Sequence, residues 1–187
     1  MSDPIIVGIT GYARSGKDTA ARALTGELGF KKIAFADSLK RDLMVLDPYI
    51  DNAGTRLSFA YNYWEMSLED IKENFPEWRR LMQIYGTEVW RAVDPHIWVT
   101  RTTTAINKDW VENATAGYVI PDLRFENERR LINFDLVVRI DRPGIGPLND
   151  HASETYVGEM DVDFVLVNDG TEVELHQQML DALNSVL

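Results

Sequence analysis

Cysteine is absent from all 187 residues. That excludes disulfides and every zinc site built on thiolates, and it suits a cytoplasmic chain. Histidine is scarce, at three residues, and none of them has the spacing of a metal-binding pair, which argues against a transition-metal centre. Long apolar runs are missing. No stretch approaches the roughly 20 residues of a membrane span, and the opening Met1-Ser2-Asp3-Pro4 has neither the basic start nor the apolar core of an export signal. Neither a membrane partner nor export is expected. Positive charge is in deficit: 19 Lys and Arg stand against 30 Asp and Glu, for a net charge of −11. A chain this acidic is a poor candidate for duplex nucleic acid, whose phosphates must be neutralised by Lys and Arg. Internal repeats, low-complexity tracts and linker-like segments are also missing. What remains is an ordinary globular composition, 45% hydrophobic and 26% charged, and residues 1–187 are expected to form one domain.

The most informative stretch is Ile5-Ile6-Val7-Gly8-Ile9-Thr10-Gly11-Tyr12-Ala13-Arg14-Ser15-Gly16-Lys17-Asp18-Thr19. An apolar, β-branched run enters a glycine loop that ends in Gly-Lys, and a helical pattern follows. Strand, glycine loop and helix N-terminus together form a phosphate-binding layout. The glycines let backbone N–H groups turn toward phosphate oxygens. Lys17 would reach the β- and γ-phosphates of ATP, and the helix dipole adds to the attraction. The usual pattern has Ser or Thr directly after the lysine to hold Mg²⁺. Here Asp18 occupies that place and Thr19 comes one later. Both offer hard oxygen donors, so either can be the ligand.

The rest of the chain reads as alternating strands and helices, hence a three-layer α/β fold with a five-stranded, mostly parallel sheet and a helical or lid excursion. Strands are expected at 5–9, 32–36, 116–120, 136–140 and 164–167. Helices are expected at 16–28, from an Asp37 or Ser38 cap to 46, at 76–93 and 95–107, at 123–133, and after a Thr171 cap. Residues 47–66 read as an irregular excursion with an aromatic cluster, Phe59, Tyr61, Tyr63 and Trp64. A short helix opens at Ser67-Leu68-Glu69-Asp70, and 142–150 reads as loop.

Four further constellations carry chemistry. Val119-Ile120-Pro121-Asp122 is an apolar strand ending in a carboxylate, which suits a second metal-side acid. Arg124 follows at the same sheet edge, where ligands of open α/β sheets sit. It can stabilise a transferred phosphoryl group, or it can pair with Glu126 or Glu128. Gln83-Ile84-Tyr85-Gly86-Thr87-Glu88-Val89-Trp90-Arg91 spans about two helical turns. Gln83 and Arg91 would share a face, one suited to a base edge and the other to a phosphate, while Trp90 and Trp98 belong to the core. Asn168-Asp169-Gly170 follows the last strand and either lies beside a base or is a plain turn. His151-Ala152-Ser153-Glu154 fits a mobile lid. Arg14, Arg56, Arg91, Arg124 and Arg142 each neighbour a Gly, Asp or aromatic cluster, which together suggests a local positive pocket for a phosphorylated small molecule, while any one of them alone reads as a solvated surface arginine.

Taken together, these segments resemble the bacteriophage-type deoxynucleoside monophosphate kinases of the P-loop kinase superfamily. The resemblance rests on Gly11 to Thr19 with its Gly-Lys-Asp-Thr ending, on Gln83 to Glu88 with Arg91 and Asp94-Pro95, on Asp122-Leu123-Arg124-Phe125-Glu126-Asn127-Glu128, and on His151 to Glu154. It implies transfer of the γ-phosphoryl group of ATP, with Mg²⁺, to a deoxynucleoside 5′-monophosphate, giving the diphosphate and ADP. It further implies that Gly11, Ala13, Arg14, Ser15, Gly16, Lys17, Asp18 and Thr19 bind ATP phosphates and that Asn168 and Gly170 lie near its base. Lys17 and Arg124 would steady the transferred group, and Asp18, Thr19 and Asp122 would serve the metal. Asp37, Arg56, Trp64, Gln83, Glu88 and Arg91 fall to the acceptor side, with His151 and Glu154 beside them. Asp37 can instead simply cap a helix. The expected partners are small nucleotides, and a homodimer stays open. Two other readings also stay open: a different small-molecule P-loop kinase, of the dephospho-coenzyme A or phosphomevalonate type, and a non-catalytic protein that holds ATP as a switch.

Overall fold

The computed structural model describes residues 3–52, 54–61, 75–147 and 152–187. Trp64 and His151 lie outside these residues, as do Tyr63 and the expected helix at Ser67–Asp70. The chain divides into two compact units, Met1–Phe35 with Val99–Leu187, and Ala36–Trp98.

The first unit is built on a five-stranded sheet. Its strands are β1 (Ile5–Thr10), β2 (Lys31–Lys32), β5 (Gly117–Ile120), β6 (Leu136–Asp141) and β7 (Phe164–Val167). Their spatial order is β2-β5-β1-β6-β7. Every pairing is parallel, with Val7 opposite both Val119 and Leu136. The expected "mostly parallel" sheet is thus wholly parallel, as right-handed strand–helix–strand crossovers produce. Two helices cover one face: α1 (Lys17–Glu27) and the C-terminal α7 (Glu172–Asn184). Val7, Ile9, Leu136, Val138 and Ile140 of the central strands form a buried cluster with Ala20, Ala21 and Leu24 of α1 and Leu175, Met179 and Leu183 of α7. Burial on this scale, roughly 1.5–3 kcal/mol for each large apolar side chain, makes the central strands a stable base for the loops at their C-terminal ends.

Helix boundaries differ from the sequence expectation where long-range partners intervene. Lys32 to Ala36 reads as a strand, yet β2 ends at Lys32 and α2 (Phe35–Leu46) begins three residues later. The reason lies across the sheet: the Phe35 N–H donates to Asp122 Oδ1 at 2.9 Å, which starts the helix. Asp37 is therefore inside the first turn of α2, beside Lys40 at 3.6 Å, and neither it nor Ser38 is the cap. The helix expected at 123–133 contracts to α5 (Glu126–Leu131). Glu128 folds back to accept the N–H groups of Arg124 and Phe125, at 2.8 and 3.0 Å, and holds those residues outside the helix. The segment expected to be a mobile lid contains a further helix, α6 (Ala152–Glu159). Thr171 caps α7 as expected, in a reciprocal box with Glu174.

Within the second unit, residues 47–66 are only partly irregular. They contain a hairpin, β3 (Tyr49–Asn52) and β4 (Thr55–Ser58), closed by Gly54 at φ +83°. The Asp51 carboxylate accepts the Gly54 N–H at 2.8 Å and pins the turn. Helix α3 (Pro76–Gln83) then runs into a π-helical segment, Ile84–Trp90, before a last α turn at Arg91–Val93. The following helix, α4 (Ile97–Asn113), outruns its expected end at 107 and stops where Ala114 takes φ +52°. Its later turns belong to the first unit.

Candidate phosphate and phosphoryl-transfer site

The glycine loop joins β1 to α1 as the sequence requires. Gly11 at φ +139° and Gly16 at φ +108° are conformations that L side chains rarely adopt. Space reinforces the point. A Cβ at Gly11 would lie 2.6 Å from the Ile140 carbonyl oxygen and 2.7 Å from Ser15 Oγ, and one at Gly16 would run into the Asn168 side-chain amide. Arg14 also sits at φ +65°. Its carbonyl accepts from Arg142 Nη1 at 3.4 Å. The Lys17 ammonium donates to the carbonyls of Gly11 and Tyr12, at 2.7 and 2.6 Å, so it spans the loop.

Asn168 braces this loop. Its amide donates to the Ser15 carbonyl at 2.8 Å, which is a scaffolding role that sequence spacing does not reveal. Gly170 lies in the turn before α7, where a side chain would collide with Glu174. The hydroxyls of Thr10 and Ser15 are fully buried at the loop base and have no hydrogen-bond partner among the described residues. A cradle that only glycine permits, with orphaned hydroxyls beneath it and an ammonium across it, fits a polyphosphate.

The oxygen donors proposed for Mg²⁺ are differently engaged. Asp18 is exposed and pairs with Lys32 at 2.5 Å. Thr19 Oγ1 accepts from Arg22 at 3.1 Å. Asp122 follows β5, the strand next to β1, and accepts the Phe35 N–H. The adjoining Leu123 N–H donates to the Ile9 carbonyl at 3.2 Å, tying this segment to the end of β1. Among the described residues no group of three His, Asp or Glu side chains forms a metal nest. The carboxylates of Asp18 and Asp122 and the hydroxyl of Thr19 are the hard oxygen donors that Mg²⁺ takes.

Arg124 departs from the sequence alternatives. Its guanidinium pairs with neither Glu126 nor Glu128 but with Glu154 on α6, at 2.7 Å, and Glu154 is only 1% exposed. Glu126 is paired with Arg130 instead.

Of the residues assigned to the acceptor, Asp37, Arg56, Gln83, Glu88 and Arg91 lie in the second unit and Glu154 in the first. Gln83 closes α3, and the π segment separates it from Arg91. A π-helix turns through a smaller angle per residue than an α-helix, so the expected shared face of Gln83 and Arg91 does not follow from α-helical spacing. Such segments occur often at functional sites. Trp98 is buried and its indole N–H donates to the Gly86 carbonyl at 2.8 Å. Trp90 is only partly buried, against Tyr85, which corrects its assignment to the core. The absence of a side chain at Gly86 lets α2 approach, since a Cβ there would lie 2.5 Å from Leu39. This brings the helix that carries Asp37 against the segment that carries Glu88. Arg91 Nη1 donates to the Pro95 carbonyl at 3.3 Å. Arg56 lies over the Tyr49 ring at 4.8 Å, a cation–π contact on the hairpin.

A network outside the candidate site escaped the sequence reading. Asp109 on α4 pairs with Lys31 and accepts from Asn113, Thr115 and Tyr118. Lys31 and these hydroxyl and amide donors hold the Asp109 carboxyl far below the usual carboxylate range. Burial pushes the Tyr118 hydroxyl up. The partners are up to 78 residues apart, which no local pattern encodes.

Comparison with known proteins is consistent with this geometry. The family model described as deoxynucleotide monophosphate kinase matches residues 46–179, a span that holds Gln83 to Arg91, Asp122 to Glu128 and His151 to Glu154. A protein of Acanthamoeba polyphaga mimivirus that carries the description deoxynucleotide monophosphate kinase is 28% identical over 197 aligned positions, which cover 97% of each chain. In fold, the chain is similar to TT1252 from Thermus thermophilus (TM-score 0.55, 19% identity, 100% of this chain and 99% of that one). It is also similar to a sugar kinase from Janibacter (TM-score 0.51, 15% identity, 97% and 95% covered).

Proposed function

Because the chain belongs to the deoxynucleotide monophosphate kinase family, we propose that it transfers the γ-phosphoryl group of ATP to a deoxynucleoside 5′-monophosphate, releasing the deoxynucleoside diphosphate and ADP. The observation that carries this reading is the glycine cradle spanned by the Lys17 ammonium. Backbone N–H groups of Gly11 to Thr19 bind the triphosphate, and Lys17 shifts from its loop carbonyls onto the β- and γ-phosphates. Thr19 or Asp18, with Asp122, would hold Mg²⁺, which would supply neutralisation of the phosphate charge. Arg124 stabilises the group in flight. Asn168 keeps the cradle in shape and Gly170 lets the last helix begin beside it.

The acceptor phosphate is already ionised, so no strong base is needed, and positioning with charge neutralisation supplies the rate. Residues Asp37, Arg56, Trp64, Gln83, Glu88 and Arg91 serve the acceptor: arginine grips its phosphate bidentately and glutamine reads a base edge. Residues 1–187 act together as one kinase domain.

The test is a coupled ADP-release assay with ATP, Mg²⁺ and dAMP, dCMP, dGMP or dTMP in turn, with ribonucleotides alongside. Release that depends on a deoxynucleotide is expected. Lys17→Ala, with an unchanged circular dichroism spectrum, is expected to lower kcat by about 10²–10³-fold, the scale for losing one preorganised electrostatic contact. ATP binding with no acceptor-dependent release from any of the four would overturn the proposal.

A further inference from the structure

We infer that Glu154 is a positioning residue for Arg124, holding its guanidinium beside the phosphate loop; this deepens the kinase reading above and rests on it. Glu154 is 1% exposed and accepts from Arg124 Nη1 at 2.7 Å. A carboxylate taken this far out of water needs a permanent counter-charge, and arginine cannot lose its proton.

The other end of Arg124 is fixed as well. Its N–H donates to Glu128 Oε2 at 2.8 Å, and Glu128 is itself buried. Two buried carboxylates thus set the backbone and the guanidinium of one arginine. The arginine side chain nevertheless remains 29% exposed. A guanidinium has five N–H donors in a planar fork, so engaging Nη1 leaves the rest of the fork for an anion.

The helix that carries Glu154 is docked to the same loop. A Cβ at Gly158 of α6 would lie 2.9 Å from the Tyr12 hydroxyl, so α6 passes close to the side chain of this loop residue. The Gly158 carbonyl accepts from Arg139 of β6 at 3.2 Å, and Tyr156 rests against Phe125 with ring centroids 6.2 Å apart. Arg124 is thereby referenced to the loop through α6, from the Glu154 carboxylate at one turn to Gly158 and Tyr12 at the next.

The experiment compares steady-state kinetics of Glu154→Gln, Glu154→Asp, Arg124→Ala and the Arg124→Ala/Glu154→Gln double variant in the full chain, with thermal melting of each. Glu154→Gln is expected to lower kcat at least tenfold with both KM values within about twofold of wild type, since an interaction realised in the transition state is lost. It is expected to add nothing on the Arg124→Ala background, the non-additivity of two residues acting as one. Glu154→Asp keeps the buried charge, protects the fold and draws the carboxylate back, so it reports the same kcat loss should Glu154→Gln not fold. A kcat retained by folded Glu154→Gln or Glu154→Asp while Arg124→Ala is slow overturns the positioning role alone. A raised acceptor KM with kcat intact makes Glu154 an acceptor contact and also overturns it. A wild-type kcat in Arg124→Ala removes the catalytic role of Arg124, and the positioning role falls with it.

Discussion

Gly16 shows how tightly single residues define this loop. Its φ of +108° and the Asn168 amide lying where a Cβ would go give two independent reasons for glycine. Gly16→Ala is expected to cost about 1–3 kcal/mol, the range for forcing a strained backbone conformation, and to weaken ATP binding more than tenfold because the loop can no longer brace on Asn168. Calorimetric melting and a titration with ATP check both halves. The glycines and Lys17 were legible from spacing alone, since a phosphate cradle needs them at fixed offsets. The partner of Arg124 was not: Glu154 is 30 positions away, whereas Glu126 and Glu128 are near neighbours in sequence. Local proximity lost because Glu128 was already committed to backbone N–H groups and Glu126 to Arg130.

Elements are held in place by contacts of the same long-range kind. Asp109 joins α4 to β2 and β5 through Lys31 and Tyr118. Its carboxyl titrates below the ordinary value of 3.8, so its contribution to stability is complete above that value and is lost as pH falls toward the folded-state pKa. Asp109→Asn is expected to destabilise the chain at neutral pH by roughly 2–4 kcal/mol, because Lys31 and three donors lose a charged acceptor. The variant should also show a shallower loss of stability below about pH 4 than wild type. Urea unfolding at several pH values measures both effects. At the other end of the first unit, Thr171→Ala removes the cap of α7 and is expected to cost about 1 kcal/mol, read as a fall in urea midpoint at an unchanged slope. That cap was legible because a capping box is a four-residue signal. The start of α2 was not, because its partner, Asp122, arrives from the turn after β5. The π segment at Ile84–Trp90 was also hidden, since its sequence reads as ordinary amphipathic helix.

For the molecule as a whole, the triphosphate site proposed at Gly11 to Thr19 falls in the unit that carries the parallel sheet, so ligand binding there is expected to feed into stability. ATP at about 100 times its Kd is expected to raise the unfolding free energy by about 2.7 kcal/mol by mass action. Lys17→Ala should lose most of that increment at the same ATP concentration, which thermal shift with and without ATP measures. The sequence by itself determined the α/β class, the order of the sheet-forming strands along the chain and the phosphate loop between the first strand and first helix. These depend on hydrophobic period and on glycine offsets, which are local properties of a chain. Only the tertiary structure decided the spatial order β2-β5-β1-β6-β7, the capture of α2 by Asp122, the bracing of the loop by Asn168 and the pairing of Arg124 with Glu154. Each joins groups 30 to 153 positions apart. Such partners are selected by which buried polar group is still unsatisfied once the core has packed, and no window of sequence contains that information.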